Sequence, residues 1–142
     1  MSRVLNISSA ASLALHAVVL LADRPERVLP TREIASVLHA SEFHLSKVLQ
    51  RLSKSGLVSA VRGPRGGFML GKAPEEITLL EVYEEIDGPL LASNCLLDTP
   101  ICSGKRCILG GLLKTVNKEV RNYLARTKLS ELKDVYQLKA GG

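Results

Sequence analysis

The chain has 142 residues, an ordinary apolar content of 46% and a formal net charge of +5. This length allows one packed core with an added dimerisation element, and it excludes two independent domains of ordinary size. The composition excludes a disordered chain, the longest apolar run is far too short to span a bilayer, and the first ten residues do not form a signal peptide, so the sequence predicts a cytoplasmic protein.

Three short helices are predicted in the first half of the chain. Ser8 or Ser9 caps the first helix, which has one apolar face and ends at a proline-containing break after about residue 22. Pro30 opens the second helix, in which apolar residues recur at helical spacing. Ser41 caps the third helix, whose apolar positions follow i, i+3, i+4, i+7 and therefore face the core: Leu45, Val48, Leu49 and Leu52.

A glycine stop and a two-stranded hairpin follow the third helix. Gly56 stands where a C′ glycine belongs, because glycine adopts positive φ without strain. Residues 57–61 and 68–70 are predicted strands, joined by a tip at 62–67 that is rich in glycine and arginine. Three helices followed by such a hairpin predict a winged helix-turn-helix, whose third helix can enter the major groove of duplex DNA.

Positive charge is concentrated on the third helix and the hairpin. Residues 1–72 hold ten Lys and Arg against four Asp and Glu (+6), whereas residues 73–142 hold nine against ten (−1). No Asp or Glu occurs between Phe43 and Pro74. This pattern indicates a surface for a polyanion, with DNA as the simplest choice and a merely solvated charged face as the alternative. The residues that we expect to contact DNA are Ser41, His44, Ser46, Lys47, Gln50, Arg51, Arg62 and Arg65.

The second half of the chain carries a different set of elements. Thr78 and Glu81 form a capping-box pattern at the start of an acidic helix, which ends at residues 88–89. A long helix is predicted from about Leu109 to Arg126, and its apolar stripe favours packing against its own copy in a two-fold dimer. We therefore predict a DNA-binding domain at 1–73, and at 74–142 one compact unit with the acidic helix, a cysteine loop and the dimerisation helix.

Three cysteines lie within thirteen residues of that loop: Cys95, Cys102 and Cys107. The odd count and a reducing cytoplasm argue against a disulfide framework. Thiolates select zinc, copper(I) or iron–sulfur clusters over hard cations. Structural zinc sites usually contain tight cysteine pairs, whereas the wider spacing found here suits a cluster. On spacing alone, zinc, free thiols and ordinary buried cysteines stay open.

The motifs, taken in order, resemble those of the IscR/NsrR family of bacterial winged-helix regulators. The resemblance covers nearly the whole chain and rests on Leu13-Ala-Leu-His-Ala17, residues 52–58, the wing at 61–68, residues 74–80 and the three cysteines. Family members are homodimeric transcription factors, mostly repressors, and many sense iron–sulfur status, nitric oxide or redox poise. The resemblance implies a mainly α protein with a small β-hairpin, built as a winged helix-turn-helix plus a long C-terminal dimerisation helix.

The resemblance also implies that Cys95, Cys102 and Cys107 hold an iron–sulfur cluster of the 2Fe–2S or 4Fe–4S type. Their spacing of x6 and x4 departs by one position from the x5 and x5 common in cluster-binding relatives. Some relatives place a histidine three residues after the last cysteine, where this chain has Gly110. Others borrow a ligand from the first helix of the partner subunit, and His16 is then our candidate, ahead of Ser12, His39 and His44.

Other functions stay open at this stage. A cluster-free regulator of the same family would respond to thiol oxidation, to an effector or to a partner protein. An iron–sulfur scaffold or small metalloprotein without a DNA role would be a different class, and so would a structural dimer with an acidic partner. The sequence offers no nucleophile triad, no carboxylate pair in a plausible cleft and no phosphate-binding loop, so we expect neither an enzyme nor a small-molecule substrate.

Overall fold

The computed structural model describes residues 6–90, 96–97, 99, 101–102 and 106–136. Three helices and a two-stranded antiparallel hairpin form the predicted winged helix-turn-helix. Within the described ranges, no helix is long and apolar enough to cross a membrane. The elements are α1 (Ser9–Asp23), α2 (Thr31–Leu38), α3 (Glu42–Lys54), β1 (Val58–Val61), β2 (Gly67–Leu70), a 3-10 turn at Pro74–Glu76, α4 (Leu79–Asp87), α5 (Leu112–Arg126) and a second 3-10 turn at Leu129–Leu132.

Helix α1 lies at the centre of the fold. The Ser8 hydroxyl caps it by accepting a hydrogen bond from the Ala11 backbone N–H. The helix is buried on all sides from residue 17 to residue 22, because α3, α4, β2 and the second 3-10 turn all contact it. The prediction of a single apolar face was therefore too narrow. Small side chains let these neighbours approach closely, and four alanines are fully buried: Ala11, Ala14, Ala17 and Ala22.

The turn between α2 and α3 sets the direction of the third helix. His39 adopts the left-handed conformation, with φ of 53° and ψ of 44°. The Ser41 hydroxyl then caps α3 by accepting a hydrogen bond from the His44 backbone N–H at 3.3 Å. Gly56, with φ of 86°, follows the C-terminal end of α3, as predicted. The apolar side of α3 is buried in the core at Leu45, Val48, Leu49 and Leu52.

The hairpin is anchored to the body of the protein through its second strand, close to the tip. The strands pair in register from Val58 with Leu70 to Val61 with Gly67. Leu29 and Phe68 exchange two backbone hydrogen bonds of 2.9 Å in an isolated bridge. A Cβ atom at Gly67 would lie 2.2 Å from the Leu29 carbonyl oxygen, so this close approach requires glycine. The bridge thereby fixes the direction in which the hairpin tip projects.

The hydrophobic core continues across the predicted boundary between residues 73 and 74. Ile77, Val82 and Leu129 are fully buried in the same cluster as the side chains of α1 and α3. The Thr78 hydroxyl caps α4 by accepting a hydrogen bond from the Glu81 backbone N–H at 3.2 Å. One hydrophobic core therefore serves both parts of the chain. The predicted division into 1–73 and 74–142 stays a prediction.

Helix α5 begins three residues later than the sequence predicts. Residues 108–111 form a turn, in which Gly110 has a left-handed φ of 60° and Gly111 is the N-cap residue. A left-handed residue cannot continue a right-handed helix, so the predicted start at Leu109 was wrong. The helix that remains has 15 residues and ends at Arg126, as predicted.

Candidate nucleic-acid interface and cysteine segment

The exposed face of α3 carries the predicted DNA-contacting residues. Lys47, Gln50 and Arg51 are all exposed on the side opposite the buried leucines and Val48. Arg62 and Arg65 are exposed on the wing tip. Glu42, the first residue of α3, and Arg32 of α2 line the same shallow depression of about 500 Å³ as Arg62 of the wing. The fold therefore brings the helix and the wing together on one surface.

Three other predicted contact residues also have contacts within the protein. The Ser41 hydroxyl accepts the capping hydrogen bond described above. The half-buried Ser46 hydroxyl accepts a hydrogen bond from Gln50 Nε2 at 3.2 Å, which orients the glutamine amide. The exposed His44 ring lies edge-on to Phe43, with ring centroids 5.7 Å apart. These contacts order the polar side chains before any ligand binds.

Phe43 is a surface residue that the sequence analysis left unassigned. It is 65% exposed, although most large apolar side chains of the winged-helix part are buried. The Lys47 ammonium lies 4.4 Å from the centroid of its ring. The sequence spacing could have assigned Phe43 to the exposed face, because residues 43, 47 and 50 are separated by four and three positions and so form one row along the helix.

The basic side chains of this surface take no part in the ion pairs of the described residues. Those pairs join Arg27 to Glu33 at 3.6 Å and Lys72 to Glu81 at 3.9 Å. Neither pair uses a cation of α3 or of the wing tip. The positive charge of the predicted interface is therefore available to an external anion.

Two of the three cysteines lie within the described residues. Cys102 is exposed and Cys107 is half-buried, and both are free thiols. The Leu109 backbone N–H donates to Cys107 Sγ at 3.5 Å. Cys95 lies outside the described residues, and no three His, Cys, Asp or Glu side chains converge within the part of the chain that is described. The predicted cluster site at these cysteines stays a prediction.

His16 is exposed on α1 and is held in one orientation. Its Nδ1 atom lies 2.6 Å from the Ser12 carbonyl oxygen, which can only accept, so in the neutral imidazole the proton is on Nδ1 and the lone pair on Nε2. The Tyr136 ring stacks against the imidazole at 6.3 Å, and its hydroxyl donates to the His16 carbonyl oxygen at 2.7 Å. Burial, with a smaller effect of the Asp23 carboxylate, raises the pKa of Tyr136 to about 12.

A groove of about 940 Å³ connects this histidine with the predicted DNA surface. Its walls come from α1 and from the segment that leads into α3, and they include Ser12, His16, His44 and Lys47. The candidate fourth ligand and the start of the DNA-facing helix thus share one concave surface.

Two further contacts fix the chain segment that leads toward the cysteines. Asp87, the last residue of α4, accepts hydrogen bonds from the backbone N–H and the hydroxyl of Ser8. Leu90 is held twice, since its N–H donates to Glu84 Oε2 at 2.8 Å and its carbonyl accepts from Arg121 Nη1 at 3.3 Å. The acidic side chains of α4 therefore tie its C-terminal end to α1 and to the following segment.

Helix α5 presents an apolar stripe that the rest of the described chain does not cover. Leu124 is the buried residue of this helix, whereas Leu112 and Tyr123 are 54% and 48% exposed. Ile108, just before the helix, is 92% exposed. Contiguous exposed apolar surface of this kind is typical of a protein–protein interface.

Comparison with known proteins finds transcriptional regulators. The profile of the Rrf2 family, described as an iron-dependent transcriptional regulator, matches residues 7–134. A protein of Aquifex aeolicus (strain VF5), assigned by name to the HTH-type transcriptional regulators, is 33% identical over 122 residues, which are 84% of this chain and 85% of that protein. The HTH-type transcriptional regulator IscR of Photorhabdus laumondii is 34% identical over 107 residues, which are 75% of this chain and 65% of that protein.

Solved structures with the same fold carry regulator names as well. CymR, the global cysteine regulator of B. subtilis, has a TM-score of 0.77 at 25% identity, with 93% of this chain and 98% of that chain covered. T. potens IscR has a TM-score of 0.71 at 25% identity, with 97% and 94% covered. The predicted fold class is confirmed, and the regulator names of these relatives agree with the expectation that the chain is not an enzyme.

Proposed function

Because the chain belongs to the Rrf2 family of transcriptional regulators, we propose that it acts as a homodimeric repressor that places α3 of each protomer in successive major grooves of its operator. One observation carries this proposal: α3 exposes Lys47 and Arg51, the wing tip exposes Arg62 and Arg65, and none of these cations takes part in an ion pair among the described residues. Phosphate contacts would supply most of the affinity, and base contacts most of the sequence preference.

The residues of this surface suit different parts of the duplex. Lys47 and Arg51 can contact phosphates or the acceptor edge of guanine, and the Gln50 amide, held by Ser46, can pair with adenine. Arg62 and Arg65 would reach phosphates or the adjacent minor groove, because the wing projects beside the helix.

The homodimer is supported by the uncovered stripe of α5. Leu112 and Tyr123 together leave apolar surface in water that a second copy of the same helix would bury. Two winged helices on a palindromic site bind with higher avidity than one alone.

An iron–sulfur cluster is the signal receiver that we propose for this dimer. The chemistry of the donor set fits, because Cys102 and Cys107 are unpaired thiols, and the N–H donor to Cys107 Sγ is the kind of hydrogen bond that tunes cluster potentials. Cys95 would be the third ligand, and His16 of the partner subunit would offer Nε2 as the fourth. When bound, such a group would supply one-electron redox chemistry.

The signal would reach DNA through the cysteine segment. A different position of Cys102 and Cys107 against α5 in the two states would change the fraction of dimers competent for DNA binding, through a difference in affinity between those states. His16 would contribute by presenting Nε2 in a fixed direction, since Nδ1 is held by the Ser12 carbonyl oxygen.

A cluster-free regulator is the second candidate function. One observation favours it: Cys102 is a free, exposed cysteine whose thiol is accessible to oxidants. Its predicted signal would be thiol oxidation, an effector or a partner protein.

DNA binding is tested by salt-dependent affinity. The preferred duplex is first selected from a random pool, and its affinity is then measured between about 50 and 200 mM salt. We expect Arg65→Ala to lower the slope of log K against log salt by roughly 2 for a dimer with two wings, and Lys118→Ala, on the side of α5 opposite the apolar stripe, to leave it unchanged. A wild-type protein without any preferred duplex would refute the regulator, and an unchanged slope for Arg65→Ala would refute the role of the wing.

The signal receiver is tested by an absorption spectrum with iron and sulfide assays on protein purified without oxygen. Charge-transfer bands with stoichiometric iron are expected, and a colourless, iron-free protein that still binds DNA would favour thiol sensing. Cys102→Ser should lose the bands, and if its DNA binding equalled that of wild type under every redox condition, the sensor would be refuted. For the fourth ligand, His16→Ala should change the spectrum. His39→Asn is the control and should leave the spectrum unchanged, because it removes an exposed histidine at a left-handed position that asparagine tolerates.

A further inference from the structure

An exposed aromatic side chain begins the row of α3 that continues with Lys47 and Gln50. Phe43 is 65% exposed and shares this row with Lys47 and Gln50, opposite the buried leucines of the helix. The chain has two phenylalanines, and the other, Phe68, is buried in the core at 8% exposure. Phe43 therefore lies outside the hydrophobic core of its own domain. Its exposed ring is available for contact with an external apolar group.

The Phe43 ring is ordered by its neighbours on the helix. The Lys47 ammonium lies over its face at 4.4 Å from the centroid, and the His44 ring meets it edge-on. This arrangement presents an apolar surface directly beside a cation, without a hydrogen-bond donor or acceptor of its own. A ligand that fits both must offer an apolar group next to negative charge or hydrogen-bond acceptors.

The major groove of DNA offers this combination at one base. Thymine is the base that presents an apolar group there, its 5-methyl, and it lies among acceptor edges and phosphates. Residues in the N-terminal part of a recognition helix contact base edges, and Phe43 is the second residue of α3. We propose that Phe43 is a specificity-determining residue that reads a thymine methyl group in each half-site of the operator. This inference rests on the proposed placement of α3 in the major groove.

The test replaces single thymines of the selected duplex with deoxyuridine, which removes the methyl group and keeps every hydrogen-bonding edge. Burial of one methyl group contributes about 0.8 kcal/mol, so the wild-type dimer should bind about fourfold more weakly per substituted half-site and about fifteenfold more weakly with both substituted. Phe43→Ala should bind the two duplexes equally well. Phe43→Leu should keep part of the preference, because leucine still offers an apolar surface.

A matched control separates this contact from a general loss of apolar surface. Val135 is 54% exposed after the second 3-10 turn, and Val135→Ala should retain the full discrimination between thymine and deoxyuridine. Because Phe43 is 65% exposed and does not belong to the hydrophobic core cluster, circular dichroism of Phe43→Ala should match that of the wild type.

Two results would overturn the inference while leaving the regulator in place. One is a wild-type dimer that binds its selected duplex and is indifferent to deoxyuridine at every position. The other is a Phe43→Ala variant that loses as much affinity on substitution as the wild type, which would place Phe43 at a protein contact instead. A protein without any preferred duplex would refute the proposed function itself.

Discussion

Substitution of Gly67 by alanine should detach the wing from the body of the protein. The added Cβ would lie 2.2 Å from the Leu29 carbonyl oxygen, 2.5 Å from its carbonyl carbon and 2.8 Å from Pro30 Cα, which are all backbone atoms. An ordinary contact at this position requires the two segments to separate by about 1 Å. Such a shift breaks the two 2.9 Å hydrogen bonds between Leu29 and Phe68.

The magnitude of the effect follows from these contacts. Two lost backbone hydrogen bonds cost about 2 kcal/mol together, and overpacking adds about 1–3 kcal/mol. The free energy of unfolding should therefore fall by about 3–5 kcal/mol, which is a large share of the roughly 5–15 kcal/mol of an ordinary domain. Arg62 and Arg65 lie beyond this anchor, so operator affinity should fall as well.

Denaturant-induced unfolding of the wild type and of Gly67→Ala measures the change, with operator affinity determined on the same preparations. Gly111→Ala is the matched control, because its φ is −93° and, among the described residues, its added Cβ would meet no atom within 4 Å apart from its local backbone. The control should stay within about 0.5 kcal/mol of the wild type. If Gly67→Ala were equally stable, the Leu29–Phe68 bridge could not be the anchor of the wing.

Three further predictions concern the other parts of the molecule. Tyr136→Phe should cost about 1 kcal/mol at neutral pH. The pKa of Tyr136 is about 12 in the folded protein and about 10 in the unfolded chain, so the wild type keeps this stabilisation below about pH 10 and loses it as the pH rises toward 12. The difference in free energy of unfolding between the wild type and Tyr136→Phe should therefore shrink over that range. Leu112→Asp should yield monomers in analytical ultracentrifugation, whereas dimers after Leu112→Asp or monomers after the control Lys118→Asp would contradict the α5 interface. Thr78→Ala should lower the free energy of unfolding by about 1 kcal/mol through loss of the α4 cap, and an unchanged denaturation midpoint would exclude this role.

The helix-turn-helix could be predicted closely because its signals are local. The cap at Ser41, the apolar period of α3 and the glycine at position 56 are all read within a few residues of each other. Prediction from local patterns was wrong at the start of α5. The apolar residues on both sides of Gly110 and Gly111 favoured a continuous helix, although Gly110 forms a left-handed turn.

Contacts between distant parts of the chain could not be predicted. Tyr136 and His16 are separated by 120 positions, and Ser8 and Asp87 by 79, so no periodicity connects them. The burial of α1 on all sides likewise depends on α4 and the second 3-10 turn, which come much later in the sequence. For the candidate site, the period of α3 identified the polar side chains of the exposed face, whereas Phe43 was left unassigned because it belongs neither to the buried apolar period nor to the polar residues.

The enclosure of α1 has a mechanical consequence for signalling. Its alanines pack closely against the neighbouring elements, and Ser8 joins its first turn to the end of α4, so we expect each protomer to move as a rigid unit. A rigid protomer cannot transmit a signal by bending, but it can rotate relative to the other protomer of the dimer. A signal at the cysteine segment would then alter the distance between the two α3 helices of the dimer. Distance measurements between spin labels at position 50 of the two protomers would detect this change, and an identical span in both signalling states would exclude it.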